Sequence, residues 1–218
     1  MVTCMYTQTE TFIVKIDPEP IVTSILSELL KRSSSRHDHL CPRQVLGVRM
    51  GLAGLKAIGL EAPMPPKAAL VILETDGCFA DGMEVSTGAA VGHRTLRIKD
   101  FGKIAAVFAN LKTGQAVRLA PQLDVRQRAF QYAPGITTRY HAQLRGYQLM
   151  PDAELFSYEA VVLEPSLAEI ISRPGFRSKC DRCGEEIINA RQVKVGKQTL
   201  CASCAGGGYY FKKNHLHD

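Results

Sequence analysis

Cys180-Asp181-Arg182-Cys183 and Cys201-Ala202-Ser203-Cys204 are two C-x-x-C pairs with seventeen residues between them. A two-residue spacer lets both thiolates of a pair face one ion, and this separation falls in the range used by structural zinc sites. Gly184, directly after the second cysteine, frees the backbone where a metal knuckle must turn. Four thiolates complete a tetrahedron around Zn²⁺ and leave no position for a substrate water, so the site is read as structural. A redox C-x-x-C would open a helix inside a βαβ unit, a setting neither pair has.

A second group of reactive side chains lies far from the first. His37, His39 and Cys41 fall within five residues, and in an extended stretch alternate residues point to the same side. Cys78 follows a short apolar run and has Asp76 and Asp81 beside it; ligand sites of open α/β sheets favour the ends of such strands. Histidine and cysteine together suit Zn²⁺, Ni²⁺, Cu or Fe. The plainer reading has the histidines hydrogen-bonding nearby backbone and the cysteines serving as small buried apolar residues. A catalytic reading makes Cys41 a nucleophile, its thiol acidified at a helix start, with His37 or His39 as base.

The elements that would position these groups can be sketched from pattern. Asp17-Pro18-Glu19-Pro20 followed by Ile21, Ile25, Leu26, Leu29 and Leu30 predicts a first helix. Pro42 predicts the start of a second, through Val45, Leu46, Arg49, Leu52, Leu55 and Ile58, with Gly47, Gly51 and Gly54 allowing close packing. Ala69–Leu73 reads as a strand buried on both faces. A short helix is expected over 81–92 with Asp81 as N-cap. Strands near 96–99 and 104–109, a turn at Lys112-Thr113-Gly114 and a return strand through Val117 and Leu119 follow. A helix over 138–149, a strand over 159–163 and a last short helix after Pro165 complete the main domain. A hairpin about Gly196-Lys197 lies inside the cysteine module. The expectation is an α+β fold: a mixed sheet with flanking helices over 1–172, and a small zinc-ribbon or treble-clef module over 173–218.

With 218 residues, 45% of them apolar and 22% charged, the chain can bury a core without disulfides. The longest apolar run, 68–73, is too short to cross a bilayer, and 1–15 lacks the pattern of a secretory signal, so a cytoplasmic protein without membrane contact is expected. Of the net charge of +6, residues 173–218 carry +5. That tail contains Tyr209, Tyr210, Phe211, Lys212 and Lys213, whose rings are expected to pack onto the zinc module. The main domain, near neutral, offers no broad nucleic-acid surface, and no recognition-helix spacing is present.

The run His-Asp-His-Leu-Cys-Pro at 37–42 is followed by Leu-Gly-Val-Arg-Met-Gly at 46–51 and Glu-Thr-Asp-Gly-Cys-Phe-Ala-Asp-Gly at 74–82. Ser86-Thr87-Gly88, Lys99-Asp100-Phe101-Gly102-Lys103 and the C-terminal knuckles come after these. In this order the motifs resemble the FmdE family, named for the E-subunit of formylmethanofuran dehydrogenase. The resemblance implies an α+β core with a C-terminal zinc module, a homodimer, and an association with molybdenum or tungsten enzymes. It also implies a second metal or metal-cofactor site at His37, His39, Cys41 and Cys78, with Asp81 nearby. The chain departs from the family at Asp38 and Arg43, where glycine is usual, at Ala89, where a cysteine is usual, and at His93, where lysine is common.

Overall fold

The computed structural model describes residues 24–37, 39–171 and 174–210. They divide into two compact units, the first ending at Glu164 and the second beginning at Pro165. The expected helix start at Asp17–Pro20 and Ile21 lies outside the described residues.

The first unit opens with α1 (Ser24–Ser34), which buries Leu26, Leu29 and Leu30. Then come α2 (Pro42–Ala57), β1 (Ala69–Leu73), α3 (Cys78–Thr87), β2 (Leu96–Ile98), β3 (Ala106–Asn110) and β4 (Ala116–Pro121). Two short turns, α4 (Val125–Arg128) and the 3₁₀ segment Ala129–Tyr132, lead into α5 (Arg139–Leu149), α6 (Asp152–Leu155) and β5 (Phe156–Ala160). The five strands form one mixed sheet in the order β2-β1-β3-β4-β5. β1 pairs parallel with β2 (Val71 opposite Leu96) and antiparallel with β3 (Val71 opposite Phe108). Every residue of β1 is buried, as the uninterrupted apolar run predicts for a central strand.

α2 is the axis of this unit, buried along almost its whole length, and its glycines explain how. A Cβ on Gly54 would stand 2.3 Å from the ring of Phe108 in β3, so α2 lies directly on the sheet. A Cβ on Gly47 would meet the Phe79 carbonyl oxygen at 2.3 Å, and one on Gly82 the Gln44 carbonyl oxygen at 2.5 Å. α2 and α3 therefore touch backbone to backbone. Residues 44–51 of α2 meet residues 79–87 of α3 in ascending order, so the two helices run in the same direction and start at the same end. α5 joins them in the same sense. The Tyr140 hydroxyl donates to the Leu40 carbonyl at 3.2 Å, while Arg49 reaches the far end of α5. Arg49 is only 2% exposed, yet its guanidinium is satisfied: it donates to the carbonyls of Tyr147 (2.7 Å) and Met150 (2.7 Å) and to Asp152 (2.6 Å). A cation held against the last carbonyls of a helix also meets the negative end of its dipole.

α3 begins three residues earlier than the sequence pattern suggests and ends sooner. Gly77 (φ 70°, ψ −153°), a backbone conformation open essentially to glycine alone, turns the chain out of the loop after β1. Gly88 in the left-handed region stops the helix. Asp81 is thus a first-turn acid rather than the N-cap. β5 likewise begins at Phe156, which is buried and pairs opposite Pro121, instead of at Glu159.

The second unit contains α7 (Leu167–Ile170) and two hairpins, β6 (Arg177–Lys179) with β7 (Glu186–Ile188), and β8 (Val193–Val195) with β9 (Gln198–Leu200). Its small core is Cys180, Ile187 and Leu200. Tyr209 and Tyr210 stack edge to face on each other but are exposed, so they do not pack onto this core as expected. Phe211, Lys212 and Lys213 lie outside the described residues. No helix among the described residues is long and apolar enough to cross a membrane.

Candidate metal centres

The first cysteine pair lies in the turn that joins β6 to β7, and the second follows directly on β9. Cys180 follows β6, and Gly184 (φ 76°) closes the knuckle, its N–H donating to the Cys180 carbonyl at 2.9 Å. Cys201 follows β9 and begins the turn that carries Cys204. The four Sγ atoms all lie within 4.8 Å of one another, with Cys183 and Cys201 at 3.9 Å. Four sulfurs bound at about 2.3 Å to one tetrahedral ion stand about 3.8 Å apart, so the set is compatible with zinc. Backbone donors complete the knuckles, the Cys201 N–H to Cys180 Sγ at 3.3 Å and the Cys204 N–H to Cys201 Sγ at 3.4 Å. Backbone hydrogen bonds from Cys183 and Cys201 draw the Cys180 thiol down to about 6. Its crowded neighbour Cys204, hydrogen-bonded to Cys201, is pushed up to about 12. Without a cation the thiols share protons; with one, all four can ionise.

The other candidate residues gather at the shared starts of α2 and α3. Cys41 is the N-cap of α2, its N–H donating to Gln44 Oε1 at 2.8 Å, and Cys78 is the first residue of α3. Burial, then hydrogen bonding and charge from the adjacent Cys41 thiol, push the Cys78 thiol up. His37 Nε2 lies 2.6 Å from Asp81 Oδ2, joining the segment before α2 to the first turn of α3. His39 is exposed. Outside the four-cysteine set, the described residues include no trio of His, Cys, Asp or Glu side chains gathered within 4.8 Å. The structure therefore brings together two contacting pairs, Cys41 with Cys78 and His37 with Asp81, with His39 beside them on the exposed segment.

Three participants were not visible as such in the sequence. Arg36 binds Glu84 at 2.6 Å and Asp81 at 3.5 Å, clamping the His37 segment to α3. Glu84 stands three residues after Asp81, one helical turn along the same face, which is the signal that could have found it. Tyr140 arrives from α5, a hundred residues away. Burial, with the neighbouring Cys41 and Cys78, raises its hydroxyl above the ordinary value. Ala89 is fully buried just past the far end of α3, a ten-residue helix with a rise of about 15 Å from Cys78. The thiol usual at that position would not reach this pair, and the exposed His93 lies further along still.

Behind Cys78, the loop 99–103 is tied to the end of β1 by main-chain hydrogen bonds, and the Lys103 charge also acts on the Glu74 carboxylate. Lys99 N–H donates to the Leu73 carbonyl (2.8 Å), and the N–H groups of Phe101 and Lys103 share the Glu74 carbonyl (2.9 and 3.1 Å). The Glu74 side chain is held by Arg118 through two bonds of 2.6 and 2.7 Å.

Residues 36–157 match the family described as FmdE, molybdenum formylmethanofuran dehydrogenase operon. A probable S-adenosyl-L-methionine-binding protein of Archaeoglobus fulgidus is 29% identical over 208 residues. The match takes in 85% of this chain but only 55% of that protein, so the chain spans about half the length of its curated relative. Among solved structures, a tungsten formylmethanofuran dehydrogenase FmdE-like protein from Syntrophus aciditrophicus superposes with a TM-score of 0.53 at 19% identity. That superposition covers 85% of this chain and 95% of that one and supports the α+β fold.

Proposed function

This chain belongs to the FmdE family, and from that membership we propose that it is a metal-binding accessory protein of a molybdenum or tungsten enzyme system. The family description ties it to the operon of such an enzyme. The observation that carries the proposal is the thiol pair, Cys41 against Cys78, at the joined starts of two helices that cannot shift independently. Two soft donors on a rigid frame suit a transition metal or a metal-bearing cofactor, which would supply Lewis-acid or redox chemistry there. Around it, the chain's own residues have definite tasks. Asp81 on Nε2 of His37 leaves Nδ1 as the free nitrogen, the way an outer carboxylate orients a ligating histidine. Arg36 bridges Asp81 and Glu84, offsetting part of their negative charge, and holds the segment in place. His39 adds a second imidazole from the exposed side. The four-cysteine unit takes zinc as a structural ion, and the working state is a homodimer.

The S-adenosyl-L-methionine named for the Archaeoglobus relative is not part of this proposal, because half of that protein has no counterpart here. Elemental analysis of protein purified without chelator tests the reading. Two metals per chain are expected, one lost when Cys41 and Cys78 are both replaced by Ala, while zinc stays. A wild-type protein holding a single metal per chain refutes the second site.

A further inference from the structure

A cleft of about 440 Å³ lies between α4, the 3₁₀ segment and the start of α5, lined by Leu123, Asp124, Arg126, Gln127, Phe130 and Arg139. None of these residues belongs to either metal centre. The cleft's walls are fixed from behind. Gly146 lets α5 press onto the segment at Ala129, where a Cβ would stand 2.5 Å from the Ala129 carbonyl oxygen. Arg128 donates to the Glu154 carbonyl at 2.6 Å, and the Tyr132 hydroxyl donates to the Glu154 carboxylate at 2.8 Å.

The charges within the cleft do not balance. Its one carboxylate, Asp124, is engaged by Arg128 at 2.9 Å. Arg126 and Arg139 have no carboxylate within 4.0 Å among the described residues. Alongside them, Leu123 is fully exposed and Phe130 is 39% exposed. Guanidinium forks match carboxylates and phosphates in shape as well as charge, and a volume of this size suits a small molecule.

We propose that this cleft binds a small organic anion, a carboxylate or phosphate ester on an apolar ring-sized body. Arg126 and Arg139 take the head group, Phe130 and Leu123 take the body, and the Gln127 amide is free to hydrogen-bond either. The proposal is independent of the metal reading and would survive its failure.

Calorimetry and ligand-observed NMR with phenylacetate and phenyl phosphate test it, with 2-phenylethanol as the neutral counterpart. Both anions should bind the full chain, and the alcohol should bind at least about tenfold more weakly. Arg126→Ala and Arg139→Ala should each weaken the anions by about tenfold or more. Phe130→Ala should weaken them too, and circular dichroism should report unchanged folding. Absence of binding to the wild-type chain in the millimolar range expected for ligands of this size overturns the proposal. So does binding that survives Arg126→Ala combined with Arg139→Ala. A concentration-dependent dimer abolished by that double variant overturns it as well, since a second copy of the chain would then occupy the cleft.

Discussion

Gly82→Ala adds one methyl group where α3 crosses α2. The new carbon would stand 2.5 Å from the Gln44 carbonyl oxygen, 2.8 Å from the Val48 nitrogen and 3.0 Å from the Gly47 Cα. All three are backbone atoms of α2, so no side chain can swing aside and a helix must move. Overpacking of this kind costs about 1–3 kcal/mol, and the gain from replacing glycine by alanine in a helix returns about 1 kcal/mol. Because the contact is with main chain, the upper end of the cost applies, leaving a net loss of about 2 kcal/mol. For a unit of this size that is a fall of about 4–8 °C in Tm. The displacement should also part Cys78 from Cys41 and Asp81 from His37, so the second metal should be lost while the four-cysteine zinc remains. Thermal denaturation followed by circular dichroism, with metal analysis of the same preparation, measures both effects. Gly92→Ala, where an added carbon meets nothing within 4 Å, is the control. Equal or higher stability in the Gly82 variant would refute the crossing as described.

Cys183→Ser or Cys201→Ser should unfold the second unit and spare the first, because metal binding supplies most of such a module's folding energy. Limited proteolysis should then cut within 174–210, and a protected, zinc-loaded variant would contradict this. Replacing His39 and Cys41 together with Ala should remove one class of bound metal and leave zinc in place, read by elemental analysis; loss of both would mean general unfolding. The two hydrogen bonds from Arg118 hold the Glu74 carboxyl below its ordinary value of 4.5, so this pair stabilises the fold fully above that pH. Its contribution is lost as pH falls through the lowered value. Arg118→Met should therefore reduce stability at neutral pH and make no difference in strong acid, in denaturant titrations across pH. Cys78, whose thiol is pushed up chiefly by burial, should react with iodoacetamide at neutral pH more slowly than a free exposed thiol such as glutathione. A faster reaction would contradict this account of the Cys78 environment.

Much of this architecture was legible from local signals. The apolar run of β1, Pro42 at the start of α2 and the spacing of the C-x-x-C pairs each act within a few residues and carried over to the fold. The glycines of α2 announced close packing, though nothing local named α3 as the partner. The errors arose where a residue has two meanings. Asp81 reads as an N-cap by type, but Gly77, through its backbone conformation, starts the helix first. Phe156 begins β5 because it fills the core opposite Pro121, which no pattern in 152–165 reveals. At the candidate site the ligating residue types stand out in sequence. Arg36 and Tyr140 acquire their places only when three helices align their starts, and such alignment is a property of long-range packing.

The 99–103 loop has a bearing on how this protein can vary. Its attachment to Leu73 and Glu74 runs through main-chain groups that every residue except proline supplies. Phe101, 64% exposed, and the exposed Lys99 take no part in this attachment through their side chains, whereas the Lys103 charge favours the ionised Glu74 carboxylate. The side chains of Lys99 and Phe101 can therefore change without disturbing the strand end that leads to Cys78. Whatever fixes their identity in a lineage must act from outside the fold.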